Sequence, residues 1–255
     1  MITYATTGDY TRYLDDEVTL RELTWRPIGD LKEYQRYWAY EYIKSRLSAD
    51  SKVLEIGSGK PNLLRTLRKN FGCECWGMDP FTGSGSGPKA FELMTQVFGE
   101  IRLVKGSIGE HSHELPDQYF DFVFSVSALE HIPHEQWEPC FKDMMRVARD
   151  EAWIFHAIDC PLDGEYQQPL DSNPLFDALT SIATLDGLEY EDAGRLVDFA
   201  EIQRASDVFV ISPLYWHALG KKYPDDPWFQ TYKRVTSVNA SFRKSRVAAD
   251  RSSET

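Results

Sequence analysis

The sequence predicts an α/β domain with a doubly wound, mainly parallel sheet of seven strands, helices on both faces and a helical lid insertion. Three observations carry that expectation. Apolar runs recur without clean alternation, as in "KVLEIG" and "FDFVFSV", which is how strands buried on both faces read. Apolar stripes at helical spacing fill the gaps between them. The first run ends in a turn punctuated by Gly57 and Gly59 and followed at once by a helical pattern.

Residues 1–50 precede the first strand and form an N-terminal helical segment around "EYQRYWAYEYIKSRL" (33–47). Tyr34, Trp38 and Tyr42 recur there as a helical stripe that suits core packing or ligand contact, and Tyr37 is a candidate to close over a ligand. The first strand is 52–57, and Leu63, Leu64 and Leu67 follow Pro61 in a helix stopped by Gly72. The second strand, 73–79, ends in Asp79. "FTGSGSGPKA" (81–90) departs from the phosphate-loop pattern and reads as a flexible loop before a helix carrying Phe91, Met94 and Phe98. Strands at 101–107 and 120–126 come next, then a helix after Pro133 with Trp137, Phe141, Met144 and Ala148.

Three further strands are expected at 151–159, 206–212 and 235–242. Residues 160–205 interrupt the rhythm as an acidic insertion. With "SPLYWHALGKKYPDDPW" (212–228) it is expected to be a lid that sets acceptor specificity, with Tyr166, Phe176, Tyr215 and Trp216 lining a pocket or burying the lid. The chain is expected to be one domain, 1–255, with ligands outside the carboxyl ends of its parallel strands.

Composition excludes several function classes. A formal charge of -12 repels phosphodiester backbones and anionic lipid, and the one basic cluster, "FRKSR" (242–246), is too small to reverse that. The first ten residues lack the charge and apolar core of a signal peptide, and no apolar run is long enough to span a bilayer, so a cytoplasmic protein is expected. Cys73, Cys75, Cys140 and Cys160 form neither a CxxC pair nor a secreted disulfide pattern, and buried thiols are the simpler reading.

The stretch "SKVLEIGSGKPNLLRTLRKNFGCECWGMDP" (51–80) points to chemistry. Glycine at 57 and 59 lets the backbone turn sharply and approach a ligand, and the helix behind it offers free N–H groups. Asp79, at the end of the second strand, is placed to accept from both hydroxyls of a ribose. An adenosine derivative fits. A dinucleotide loop wants a third glycine where Asn62 stands, and a carboxylate such as Glu55 is unfavourable beside pyrophosphate but favourable beside an amino-acid ammonium. That prefers S-adenosylmethionine to NAD.

Four motifs in order, "VLEIGSGKPNLL", "GMDP", "LVKGSIGE" and "YFDFVFSVSALEHI", resemble the class I, Rossmann-like S-adenosylmethionine-dependent methyltransferases over residues 50–160. The resemblance implies that Glu55, Gly57 and Gly59 hold the methionine end and Asp79 the ribose. It places Ser107 and the Ile108 backbone at the adenine, although many relatives have an acid where Ser107 stands, and Ser125 at the methionine end. It further implies methyl transfer to a small-molecule acceptor, a hydroxyl of a metabolite, sugar or natural-product intermediate being favoured.

A hydroxyl acceptor needs a base. His131 and His134 in "ALEHIPHEQW" are the catalytic candidates, beside His156 and Asp159, and Glu130 with His131 also fits a role in orienting the turn. A metal held by His111, His113, His131 and His134 lacks carboxylates at matching spacing, so no metal is expected. An NAD-type oxidoreductase and a non-catalytic binding protein are the alternative functions. Asn62 and Glu55 weigh against the first, and the intact glycine turn with Asp79 against the second.

Overall fold

The computed structural model describes residues 1–16, 23, 31–82, 90–163, 173–192, 196–212, 217–218, 220–221 and 234–246. Parallel pairing builds the centre of the sheet. Strand β2 (Lys52–Ile56) lies between β3 (Glu74–Asp79) and β5 (Phe120–Val126), β4 (Arg102–Lys105) extends one side, and β6 (Ala148–Pro161) extends the other. Beyond β6 the sheet turns antiparallel with β8 (Val235–Lys244), whose outer edge takes both β1 (Ile2–Tyr4) and β7 (Leu188–Tyr190). The order β1-β8-β6-β5-β2-β3-β4 reverses direction between β2 and β5, which opens a crevice at their carboxyl ends.

Helices cover both faces. On one, α1 (Thr7–Asp15), α2 (Leu31–Lys44), α3 (Asn62–Phe71) and α4 (Phe91–Val97) lie against the sheet, with Leu63, Leu64 and Leu67 of α3 packed with Val53, Phe122 and Phe124. Pro61 stands at the N-cap position of α3 without a side-chain cap hydrogen bond. Gly72 ends it in the left-handed conformation, φ 75°, its N–H donating to the Arg68 carbonyl. On the other face, α5 (Trp137–Val147) buries Trp137, Phe141 and Met144 against Leu54, Val123 and Ile154. All four cysteines are buried and free.

Six of the seven expected strands form. The sheet has eight strands because two short ones were not anticipated, β1 in the N-terminal segment and β7 inside 160–205. The expected strand at 206–212 does not form. Its apolar run makes only an isolated bridge from Val208 to Thr6 and hydrogen bonds from Phe209 N–H to the Ala5 carbonyl and from Ile211 N–H to the Val235 carbonyl. The edge of β8 at 238–240 already pairs with β1, so Phe209 and Ile211 bury their side chains among Tyr10, Tyr13 and Tyr34 without joining a ladder.

The described part of 160–205 packs two short helices onto the core. Helix α6 (Pro174–Ile182) buries Leu175, Leu179 and Ile182, and α7 (Phe199–Arg204) buries Phe199 and Ile202, all in one cluster with Trp137 and Phe141. Tyr166, Tyr215 and Trp216 lie outside the described residues, as does most of the loop at 81–90. Phe176 packs on Phe199. No described helix is long and apolar enough to cross a membrane.

Candidate functional site

The turn after β2 is bound to β3 by its own backbone, with Gly57 and Ser58 N–H groups both donating to the Met78 carbonyl at 2.8 and 3.1 Å. Gly57 and Gly59 have φ of 68° and 47°, a region costly for other residues. At Gly57 space is also closed. A Cβ there would stand 2.5 Å from the Ala128 Cβ, in the turn after β5. The two turns that flank the crevice therefore touch at this point.

Glu55, one residue inside β2, is 5% exposed, and its Oε2 has no hydrogen-bond partner among the described residues. Burial pushes its carboxyl up to about 8, against the pull of Arg36 and Lys32 on α2. Asp79 stands at the carboxyl end of β3. Its two oxygens accept from Gly59 N–H at 3.0 Å and from Phe81 N–H at 2.7 Å, and a carboxylate so engaged keeps further lone pairs for a ligand.

At the end of β4, Ser107 is half-buried and its N–H donates to the Glu110 carboxylate at 3.3 Å, while Glu110 N–H donates back to the Ser107 carbonyl. This acid was missed in the sequence, since it falls three residues after the position where relatives carry one. The Ile108 side chain is core, and its carbonyl accepts from the Cys140 thiol.

Ser125 departs from expectation. It is wholly buried, and its hydroxyl is 2.8 Å from His156 Nδ1 across the β5–β6 pair. His156 contacts the Phe141 ring of α5, so this serine side chain faces the core under α5. Burial drives His156 down to about 3, so the ring is neutral.

The turn after β5 carries the remaining candidates. Leu129–His131 and His134–Gln136 are single helical turns, and both histidines are exposed. His134 packs edge-on against Trp137, whereas the charge of His131 reaches Asp159 on β6. Glu130 and Asp159 are both raised well above the carboxylate range, by burial first and, for Asp159, next by the charge of Glu130. Lys32 pulls both back down, as it does Glu55. Gln35 Nε2 donates to Asp159 at 2.9 Å and to Ser237 at 3.1 Å, fixing α2 over this rim. Lys32, Gln35 and Arg36 were not read as site residues, because the aromatic stripe dominates the helix. Their spacing of three to four along one face was the available signal. Among the described residues no three His, Cys, Asp or Glu side chains come together as a metal site.

Residues 53–151 match the family described as "Methyltransferase domain". That stretch is under half of the chain. The chain's fold is shared by phosphoethanolamine N-methyltransferase 2 of Haemonchus contortus, solved with phosphomonomethylethanolamine and S-adenosylhomocysteine, at 14% identity and a TM-score of 0.50. That match covers 90% of this chain and 61% of the other, so the chain spans under two thirds of that relative's length. Geranyl diphosphate C-methyltransferase of Streptomyces coelicolor A3(2), solved with magnesium ion, geranyl diphosphate and S-adenosylhomocysteine, matches at 12% identity and a TM-score of 0.51, covering 93% of this chain and 97% of that one. At such identities the likeness concerns the fold. No curated protein matches the sequence. The matched stretch runs from β2 to the start of β6 and contains every cofactor residue expected from the sequence.

Proposed function

We propose that the protein transfers a methyl group from S-adenosylmethionine to a hydroxyl of a small molecule, such as a metabolite, sugar or natural-product intermediate. The observation that carries the cofactor is Glu55, whose sealed, unpartnered oxygen lies beside the glycine turn of the stretch that matches the methyltransferase family. An ammonium brought there supplies the missing hydrogen bond and the counter-charge together. In this reading Glu55, Gly57 and Gly59 receive the methionine end, Asp79 the ribose diol, and Ser107, Glu110 and the Ile108 backbone the adenine. When bound, S-adenosylmethionine supplies a methyl group already activated by its sulfonium.

The chain's own task is to align the acceptor, exclude water and take a proton. His131 is the proposed base, because it stands at the rim where Asp159 can hold an imidazolium once the proton arrives. His134 has no such partner among the described residues, and its contact with Trp137 gives it a packing role. Gln35 positions Asp159. Acceptor choice falls to the rim made by α2 and the turn after β5, since Leu175, Leu179 and Ile182 tie α6 into the core. A net charge of -12 suits a small acceptor better than nucleic acid, and free buried cysteines suit a cytoplasmic setting.

Calorimetry with S-adenosylmethionine, S-adenosylhomocysteine and NAD tests the cofactor. Binding of the first two and not the third is expected, and preference for NAD would overturn the reading.

A further inference from the structure

Helix α2 turns two faces to two different places. Lys32, Gln35 and Arg36 face the rim described above. Tyr34, Tyr37, Trp38 and Glu41 fall on the opposite side by the helical period, and they line a second cleft of 680 Å³ at the outer edge of the sheet. β1 adds Thr3 and Tyr4, and the stretch around α7 adds Leu196, Glu201 and Asp207. The volume is that of a small-molecule site.

Two features of the cleft ask for an occupant. Thr3 and Tyr34 are 6% and 1% exposed, yet neither hydroxyl has a hydrogen-bond partner among the described residues. Buried polar groups are nearly always paired, so these two oxygens in the cleft's wall are unsatisfied acceptors. Charge is the second feature. The lining acids are Asp9, Glu41, Glu201 and Asp207; of the two lining basic groups, Arg12 is paired with Asp9 and the Met1 α-amino group donates to the Ser241 carbonyl at 2.8 Å. Glu41 pairs with Lys44, whereas among the described residues the Asp207 carboxylate accepts only the Tyr4 phenol at 3.2 Å and Glu201 has no ion-pair partner.

We propose that this cleft binds a small organic ammonium ion. Its N–H groups donate to Thr3 Oγ1 and the Tyr34 hydroxyl, Glu201 and Asp207 supply the counter-charge, and the rings of Tyr37 and Trp38 add cation–π attraction. An anion meets the carboxylates. A quaternary ammonium lacks the N–H that the two hydroxyls require, and a neutral alcohol forgoes the charge. The site is separate from the cofactor crevice, from which α2 divides it, and it does not depend on the methyl-transfer reading.

Titration of the full chain with 1,4-diaminobutane in a calorimeter, with and without S-adenosylhomocysteine, tests the proposal apart from any activity. Saturable binding is expected in both conditions, with none for 1-butanol. Tyr34→Phe removes a hydroxyl that has no partner, so thermal unfolding should show the fold kept or slightly stabilised while diamine affinity falls roughly tenfold. Glu201→Gln with Asp207→Asn, both at exposed positions, should weaken binding to a similar degree. No saturable heat up to about 10 mM diamine, or binding that both variants leave unchanged, would overturn the proposal.

Discussion

Gly59 donates its N–H to Asp79 at 3.0 Å, so the residue assigned to the ribose also holds the glycine turn in shape. Phe81 N–H donates to the other oxygen of the same carboxylate. Asp79→Ala should therefore act twice. Two charge-assisted hydrogen bonds within the fold are lost, a cost of about 1 to 3 kcal/mol in unfolding free energy, and S-adenosylmethionine affinity falls roughly 10- to 100-fold. Asp79→Asn keeps an acceptor and should lie between. Chemical denaturation and calorimetry on the same samples read both effects, and unchanged affinity in a folded variant would remove Asp79 from the site.

Gly57 meets Ala128 across the crevice, and the contact can be tested from both sides. Gly57→Ala should destabilise by about 2 to 4 kcal/mol, from overpacking together with the strain of a side chain at φ 68°. Adding Ala128→Gly removes the obstruction but leaves the strain, so the double variant should regain part of the loss. If Ala128→Gly restores nothing, the backbone conformation alone explains the glycine.

Residues 173–190 provide the third test. Leu179 is wholly buried in the cluster that holds Trp137 and Phe141. Leu179→Ala should cost about 2 to 5 kcal/mol, and replacing 163–204 by a short linker should abolish both folding and cofactor binding. A linker variant that still binds S-adenosylhomocysteine would show the segment to be a separable lid.

The parts of the fold that were legible in the sequence are those whose side chains announce their surroundings. Phe120–Val126 is apolar on both faces and is found between β2 and β6, as such a strand must be. The turn was legible because Gly57 and Gly59 adopt the backbone that favours glycine. The edge of the sheet was not. Ile2–Tyr4 is too short to show a period, and "VFVI" at 208–211 reads as a strand although its apolar residues serve an aromatic cluster. The burial of the Ser125 hydroxyl against His156 was not legible for a related reason: position at a strand end does not say which face a side chain takes. Gln35 and Lys32 reach the rim from another helix: their spacing marks a shared face, but what that face meets is set by the tertiary structure.

Glu55 predicts a pH dependence with a definite sign. Its folded pKa, pushed up to about 8, lies above the ordinary value near 4.3, so the folded state holds a proton that the unfolded chain has released. The stability this contributes is complete below about pH 4 and is lost as pH rises through about 8. Glu55→Gln removes the titration, and should gain stability relative to the wild type between pH 5 and about 8.5 in urea unfolding. Binding of an ammonium-bearing cofactor reverses the preference, because it favours the ionised carboxylate. Calorimetry at pH 7 in buffers of different ionisation enthalpy should then show proton release on binding to the wild type and less in the variant.

His131 and His134 stand three residues apart in one turn, and their surroundings separate them. The charge of His131 reaches Asp159, which Gln35 holds, whereas His134 lies edge-on to Trp137 at 5.1 Å. If the acceptor is a hydroxyl, His131→Gln should lower turnover by roughly 10² to 10⁴ with cofactor affinity kept, and His134→Gln should change it by less than a few-fold. Acidification should slow the wild type, since only neutral imidazole accepts a proton, and the slope should vanish in His131→Gln. Gln35→Leu gives the positioning arm of the test: freeing Asp159 should reduce kcat more than KM and leave the binding of S-adenosylhomocysteine intact. Full turnover in His131→Gln would mean that alignment alone carries the transfer, as it can for an acceptor that reaches the site without a proton to lose.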